Sequence, residues 1–426
     1  MDPLARSRPF PRHFPLILGG AAAFGAYFAM YAFRKPFAAA TYGDVDIMPF
    51  GVDYKTALLI AQVFGYALSK LIGIKVIAEF GRVGRASAIF GLIAFSWLAL
   101  LLFAVLPPEW GLFCLFLNGL PLGMIWGLVF SYVEGRRCSE LLGAILCASF
   151  ILSSGVVKSV AVLLMQGGIS EHWMPALTGL VFVPLLLLCL WLLEKLPPPD
   201  AQDEAERTPR VPMNGADRLA FLRAHGMPML FLVAGYVMLT AVRDFRDNFA
   251  AEMWTAMGLG GEASVFSASE LPIALLVLGA LALLMLVRHN VRALLMMHGM
   301  ILLGALLLGG ATLAFQSGLL GPLAWMILAG AGLYLAYTPF NAMLFDRMIA
   351  TLGSAGNAGF LIYVADTSGY VGSVGLLLYR SLGSPEGDFL TFFITSAYWT
   401  SLLAGVLTLA SAAWFLRSQR KVAAHV

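Results

Sequence analysis

Charge is what this sequence has least of. Only 12% of its 426 residues are Asp, Glu, Lys or Arg, while 60% are apolar. A soluble domain carries about a quarter charged residues to face water, so an ordinary soluble protein is excluded. Cysteine is scarce as well. The four present (Cys114, Cys138, Cys147 and Cys189) show no CxxC or histidine-rich spacing, which excludes a disulfide framework and gives no metal site. A Walker-type phosphate loop, a glycine-rich dinucleotide turn and a GxSxG elbow are all missing. With them go ATP-driven pumping and the common enzyme classes, so neither catalysis nor a cofactor is expected. His172 and Glu171 adjoin, but one histidine beside one acid is a surface pair rather than a metal centre.

What remains is long apolar runs, enough to cross a hydrocarbon core of about 30 Å. Twelve are read, at about 14–40, 56–78, 86–106, 111–133, 141–165, 174–194, 227–251, 263–287, 293–315, 321–345, 356–379 and 389–416. The first has no small-residue cleavage pattern and is expected to stay as a span. Basic residues fall mostly on one side: Arg6, Arg8 and Arg12 before the first span, Arg82 and Arg85, Arg136 and Arg137, Arg288 and Arg292, Arg347, and Arg417, Arg420 and Lys421 at the end. The positive-inside rule then puts both termini and the middle loop in the cytoplasm, as expected of a bacterial inner-membrane protein. The net charge of +3 reports this topology and implies no nucleic-acid partner.

Segment 195–226, with Pro197-Pro198-Pro199 and the polar run Asp203, Glu204, Glu206, Arg207, reads as a cytoplasmic linker. It divides the chain into bundles at 1–194 and 227–426, and its end, near Asp217–His225, could form a short surface helix. The halves repeat. Phe33-Arg34-Lys35-Pro36-Phe37-Ala38-Ala39 returns 212 residues later as Phe245-Arg246-Asp247-Asn248-Phe249-Ala250-Ala251. Ser153-Ser154-Gly155-Val156-Val157-Lys158-Ser159-Val160 returns 214 later as Thr367-Ser368-Gly369-Tyr370-Val371-Gly372-Ser373-Val374, and Glu134 matches Asp346 at 212. Three matches at nearly one offset argue for an all-α membrane protein of two pseudo-symmetric six-helix halves, with a site between them near the midplane.

Charges at membrane depth divide unevenly. The first half supplies Arg34, Lys35, Lys70, Lys75 and Lys158, with no acid at comparable depth; the second supplies Arg243 and Arg246 interleaved with Asp244 and Asp247, then Glu270 and Asp366. Intramembrane charge is costly and kept for a partner or a function, so an unneutralised cation cluster points to a small anionic substrate. Tyr31, Arg34, Lys35 and Ala38 would share one helical face, as would Tyr66, Ser69, Lys70 and Gly73. Lys35 could instead snorkel to the interface, as Lys75 does in this reading. Arg243 or Arg246 could pair with Asp247. Asp366 is a proton or substrate contact that could face Lys158 across the cavity, and Glu270 is a second proton candidate.

The segment Tyr31-Ala32-Phe33-Arg34-Lys35-Pro36-Phe37 resembles the first-span Tyr-x-x-Arg-Lys-x-Phe signature of the organophosphate:phosphate antiporters, of the major facilitator superfamily, and of related bacterial membrane proteins. Tyr66-Ala67-Leu68-Ser69-Lys70-Leu71 resembles their span-two Tyr-Gly-x-Ser-Lys-Phe, and Tyr236 through Arg243 their span-seven arginine segment. The resemblance implies that Arg34 is one phosphate-clamping arginine and Arg243 (or, by the internal repeat, Arg246) the other, with Lys70 in support. It departs in span five, where Ser153 and Ser154 stand in place of a histidine, and between spans two and three, where only Gly81-Arg82-Val83-Gly84-Arg85 survives and Glu79 is displaced. The expectation is a monomeric secondary transporter exchanging a phosphorylated organic anion for inorganic phosphate across the lipid bilayer. Its site residues are Tyr31, Arg34, Lys35, Tyr66, Lys70, Lys158, Arg243 and Arg246. A proton-coupled symporter of an anionic or zwitterionic solute, using Asp366 or Glu270, and a membrane solute sensor are the alternatives.

Overall fold

The structure, a computed structural model, describes residues 14–79, 84–133, 139–197, 215–352, 358–383 and 388–423. Among these, every regular element is a helix. The first six membrane segments are α1 (Phe14–Tyr31), α2 (Tyr54–Glu79), α3 (Arg85–Val105), α4 (Gly111–Leu122) with α5 (Ile125–Val133), α6 (Ser139–Gln166) and α7 (Met174–Glu194). The second six are α8 (Gly215–Asn248) with α9 (Ala250–Ala256), α10 (Ser264–Met285), α11 (Asn290–Gln316), α12 (Pro322–Ala342) with α13 (Leu344–Leu352), α14 (Ala358–Gly383) and α15 (Phe389–Ala423). The protein is thus a multi-pass membrane protein of two six-segment halves.

Ten segments among the described residues are long and apolar enough to cross a membrane by composition. The first segment contributes the apolar stretch Ile17–Tyr31, and α14 carries Asp366, Thr367 and Ser368 in its middle; both line the central cavity.

Four segments depart from continuous spans. The run read as 14–40 stops being helical at Tyr31; the chain then turns tightly, with Arg34 and Lys35 amides both donating to the Tyr31 carbonyl, before a 3-10 turn at Pro36–Ala39. Pro36 brings no amide and fixes its own φ, so it starts a turn here instead of extending the helix. Tyr31, Arg34, Lys35 and Ala38 therefore do not form one helical face. The fourth and tenth segments break at Gly123–Met124 and at Met343, shortly after Pro121 and Pro339. The seventh breaks at Phe249, whereas residues 215–226 join it as one helix of 34 residues; no separate surface helix forms there. Glu134, Cys138, Arg82, Arg136, Arg137 and the 203–207 run lie outside the described residues.

Helices approach closely where glycine allows it. A Cβ at Gly65 would meet the Phe116 backbone and one at Gly119 the Gln62 backbone, so α2 and α4 pack main chain to main chain. Between halves, α6 packs on α10 and α2 on α14. Gly155 of α6 sits directly on Glu270 and the Phe266 carbonyl of α10. Polar ties across the halves also gather on the face opposite the start of α1. Lys55 pairs with Glu252 at 2.5 Å and Arg380 with Asp53 at 3.3 Å. Ser159 donates to the Ala263 carbonyl at 2.6 Å. Asp53 also caps α2 by accepting from the Thr56 amide at 2.9 Å.

Candidate functional site

A cavity of about 800 Å³, counted with its open mouth, lies between the halves. Arg34 reaches it from the turn after α1. Ending the helix at Tyr31 frees the carbonyls of Phe33 and Arg34, which must find donors when buried. Asn118 of α4 supplies one to Phe33 at 2.9 Å, and Gln62 of α2 supplies one to Arg34 at 2.9 Å. Gln62 also donates to Asn118 at 2.7 Å. Two amide side chains in apolar helices thus fix the turn that aims Arg34.

The Arg34 guanidinium stacks on the Tyr66 ring, 3.8 Å from its centroid, with the Tyr31 ring at 5.8 Å. Neither a carboxylate nor a carbonyl meets it among the described residues, and its Nε is buried without a partner. Arg243 enters from the other half and stacks on Tyr337 at 3.9 Å. It differs in holding Asp244 at 2.5 Å, whose other oxygen accepts from Ser373 at 2.8 Å.

The remaining cavity charges are joined across the two halves. Lys35 pairs with Asp247 and donates to Asn248 at 2.8 Å. Asp247 also takes Lys158 and the Ser154 hydroxyl. Lys70 pairs with Asp366 at 2.6 Å; Asp366 accepts from Tyr236 at 2.5 Å, to which Asn341 donates at 3.2 Å.

This corrects the picture of an unneutralised first-half cluster. Lys35, Lys70 and Lys158 find their acids in the second half, because packing one repeat against the other brings basic and acidic helices face to face. Lys35 is 7% exposed and does not snorkel. Lys158 meets Asp247, and Asp366 faces Lys70 instead. Neither Arg243 nor Arg246 pairs with Asp247.

Of the sequence candidates, Tyr31, Arg34, Lys35, Tyr66, Lys70, Arg243 and Asp366 line the central cavity. Arg246 does not. Three residues along α8 from Arg243, it points into the second half, pairs with Glu270 at 2.7 Å and donates to the Met326 carbonyl at 2.9 Å. Lys158 and Glu270 line a second, smaller cavity of about 220 Å³ on the α6–α10 seam. Sequence reasoning missed Gln62, Asn118 and Asn341, although each is an isolated amide in an apolar run. It also missed the aromatic wall of Tyr27, Trp126, Phe150, Tyr334, Tyr337 and Tyr370, which carries no signal distinct from core packing.

Solved structures share this fold. A bacterial homologue of the human lysosomal transporter Spinster, inward-facing and unoccupied, matches at TM-score 0.58 with 12% identity, over 96% of this chain and 98% of that one. A bacterial homologue of the human drug peptide transporters PepT1 and PepT2 matches at 0.61 with 12% identity, over 96% and 98%. A D-xylose-proton symporter matches at 0.57 with 12% identity, over 94% and 97%. The likeness shows a shared fold, that of the major facilitator type. No curated protein sequence matches significantly. A family model described as a family of unknown function, DUF5690, matches residues 36–418.

Proposed function

We propose that this chain, which belongs to the DUF5690 family, is a secondary transporter of a small organic anion working by alternating access. The observation that carries the reading is Arg34: a cavity-lining guanidinium with no carboxylate partner among the described residues, oriented by two buried amides and backed by an aromatic ring. A guanidinium in low dielectric without a counter-charge costs several kcal/mol, and a bound carboxylate or phosphate would remove that cost while matching its planar donor fork. Arg243 on the opposite half offers the second arm of a clamp once Asp244 yields it. A ligand held between arginines of both halves draws them together, and rocking about that point exposes it to each side in turn. The protein in this reading sits in a bacterial inner membrane with both termini cytoplasmic, as a monomer of two bundles joined by the 195–226 linker.

Exchange for inorganic phosphate, implied by the antiporter resemblance, is the coupling we favour. A second reading is proton symport. It is supported by Asp366, a carboxylate shared between Lys70 of one half and Tyr236 of the other, and by one structural neighbour being a proton symporter. Counterflow into proteoliposomes loaded with phosphate, over a panel of labelled organic anions, tests the proposal. Saturable uptake of at least one anion is expected; uptake of neutral solutes alone would defeat it.

A further inference from the structure

The cavity says more about the body of the ligand than about its head. Eight of the eighteen residues lining it are aromatic, and both arginines sit over rings, Arg34 3.8 Å from the Tyr66 centroid and Arg243 3.9 Å from that of Tyr337. An anion bound to either guanidinium has its own body carried beside the wall of rings. On the far side Phe150 lies 6.1 Å from Tyr334 and 6.3 Å from Tyr337, centroid to centroid. These are distances at which aromatic rings interact.

The polar groups point the same way. A polyhydroxylated body needs several donors and acceptors, and each one left unmade on binding costs affinity. The three cavity carboxylates are already committed. Asp244 holds Arg243 and Ser373, Asp247 holds Lys35, Lys158 and Ser154, and Asp366 holds Lys70 and Tyr236. Asn341 has given a donor to Tyr236. Beyond these ion pairs a sugar would find only the hydroxyls of the tyrosine wall. A flat ring asks for none of them and needs only the Arg34 fork for its charged head.

We infer that the substrate is an aromatic anion: a planar ring seated on the tyrosine wall, with a single carboxylate or phosphate head on Arg34. This rests on the anion-transport reading and narrows it. Calorimetric titration of the purified full-length protein in nanodiscs tests it with five probes: phenyl phosphate, 4-hydroxybenzoate, glucose 6-phosphate, hexanoate and inorganic phosphate. Each ring contact adds about 0.5–1.5 kcal/mol beyond its buried area, so two contacts give roughly tenfold or more. Phenyl phosphate should bind at least about tenfold tighter than glucose 6-phosphate, and 4-hydroxybenzoate than hexanoate, with the ratio of the two aromatic probes naming the head group. Tyr370→Leu should shrink the preference for phenyl phosphate over glucose 6-phosphate. Glucose 6-phosphate binding as tightly as phenyl phosphate, or hexanoate as tightly as 4-hydroxybenzoate, would overturn the inference while leaving anion transport standing. Binding of none of the five probes would overturn both.

Discussion

Lys35 and Asp247 occupy the same position of the two repeats, 212 residues apart, and pair with each other. The pseudo-twofold relation between the halves therefore runs close to this ion pair, and opposite charge at one repeat position joins them. Lys158 adds a second ammonium to the same carboxylate. Removing Asp247 strands two buried cations, whereas removing Lys35 leaves Asp247 with Lys158. Loss of one partner of a buried pair costs about 3–5 kcal/mol. Asp247→Asn is therefore expected to lower the thermal midpoint of the purified protein well below that of Lys35→Met, and equal midpoints would count against the shared-carboxylate arrangement.

Arg243 and Arg246 should separate cleanly. Arg243→Ala removes a cavity cation and is expected to weaken anion binding with a smaller loss of stability, because Asp244 keeps the Ser373 hydroxyl and faces the open cavity. Arg246→Ala strands Glu270, whose second oxygen already lacks a partner, and is expected to destabilise by about 3–5 kcal/mol. Replacing both Arg246 and Glu270 with Met should recover most of that loss. Ligand titration and thermal unfolding on the three variants check this. Anion binding that fails in the double variant, once it is folded, would return Arg246 to the site.

Coupling turns on Asp366. If exchange drives transport, Asp366→Asn should leave phosphate-driven accumulation largely intact, because arginine needs no proton change to bind an anion. A pH gradient in phosphate-free vesicles should then drive nothing. Accumulation under that gradient, lost in Asp366→Asn while counterflow persists, would establish proton coupling in its place.

The fold was legible because its signals are regional: apolar runs of membrane length and a repeat near one offset survive errors of several residues. Arg34, Lys70 and Arg243 were legible because charge is rare in such runs. The partners were not. Lys35 with Asp247, Lys70 with Asp366 and Arg246 with Glu270 lie 212, 296 and 24 positions apart. Which acid meets which base depends on how one bundle lies on the other, and spacing within a helix does not report that. The repeat pointed to Arg246 as the twin of Arg34, but the first helix ends at Tyr31, before Arg34, whereas the second runs on through Arg246 to Asn248. Equivalent arginines consequently leave their backbones in different directions.

Arg34 remains the residue on which the transport reading depends, and counterflow into phosphate-loaded proteoliposomes with an Arg34 series tests it most directly. Wild-type protein should take up a labelled organic anion saturably. Arg34→Lys should lose most of that uptake although it keeps the charge, since an ammonium cannot replace the two-pronged fork, and Arg34→Ala should lose all of it. Full uptake in Arg34→Ala would show that the unpartnered guanidinium is not the anion receptor.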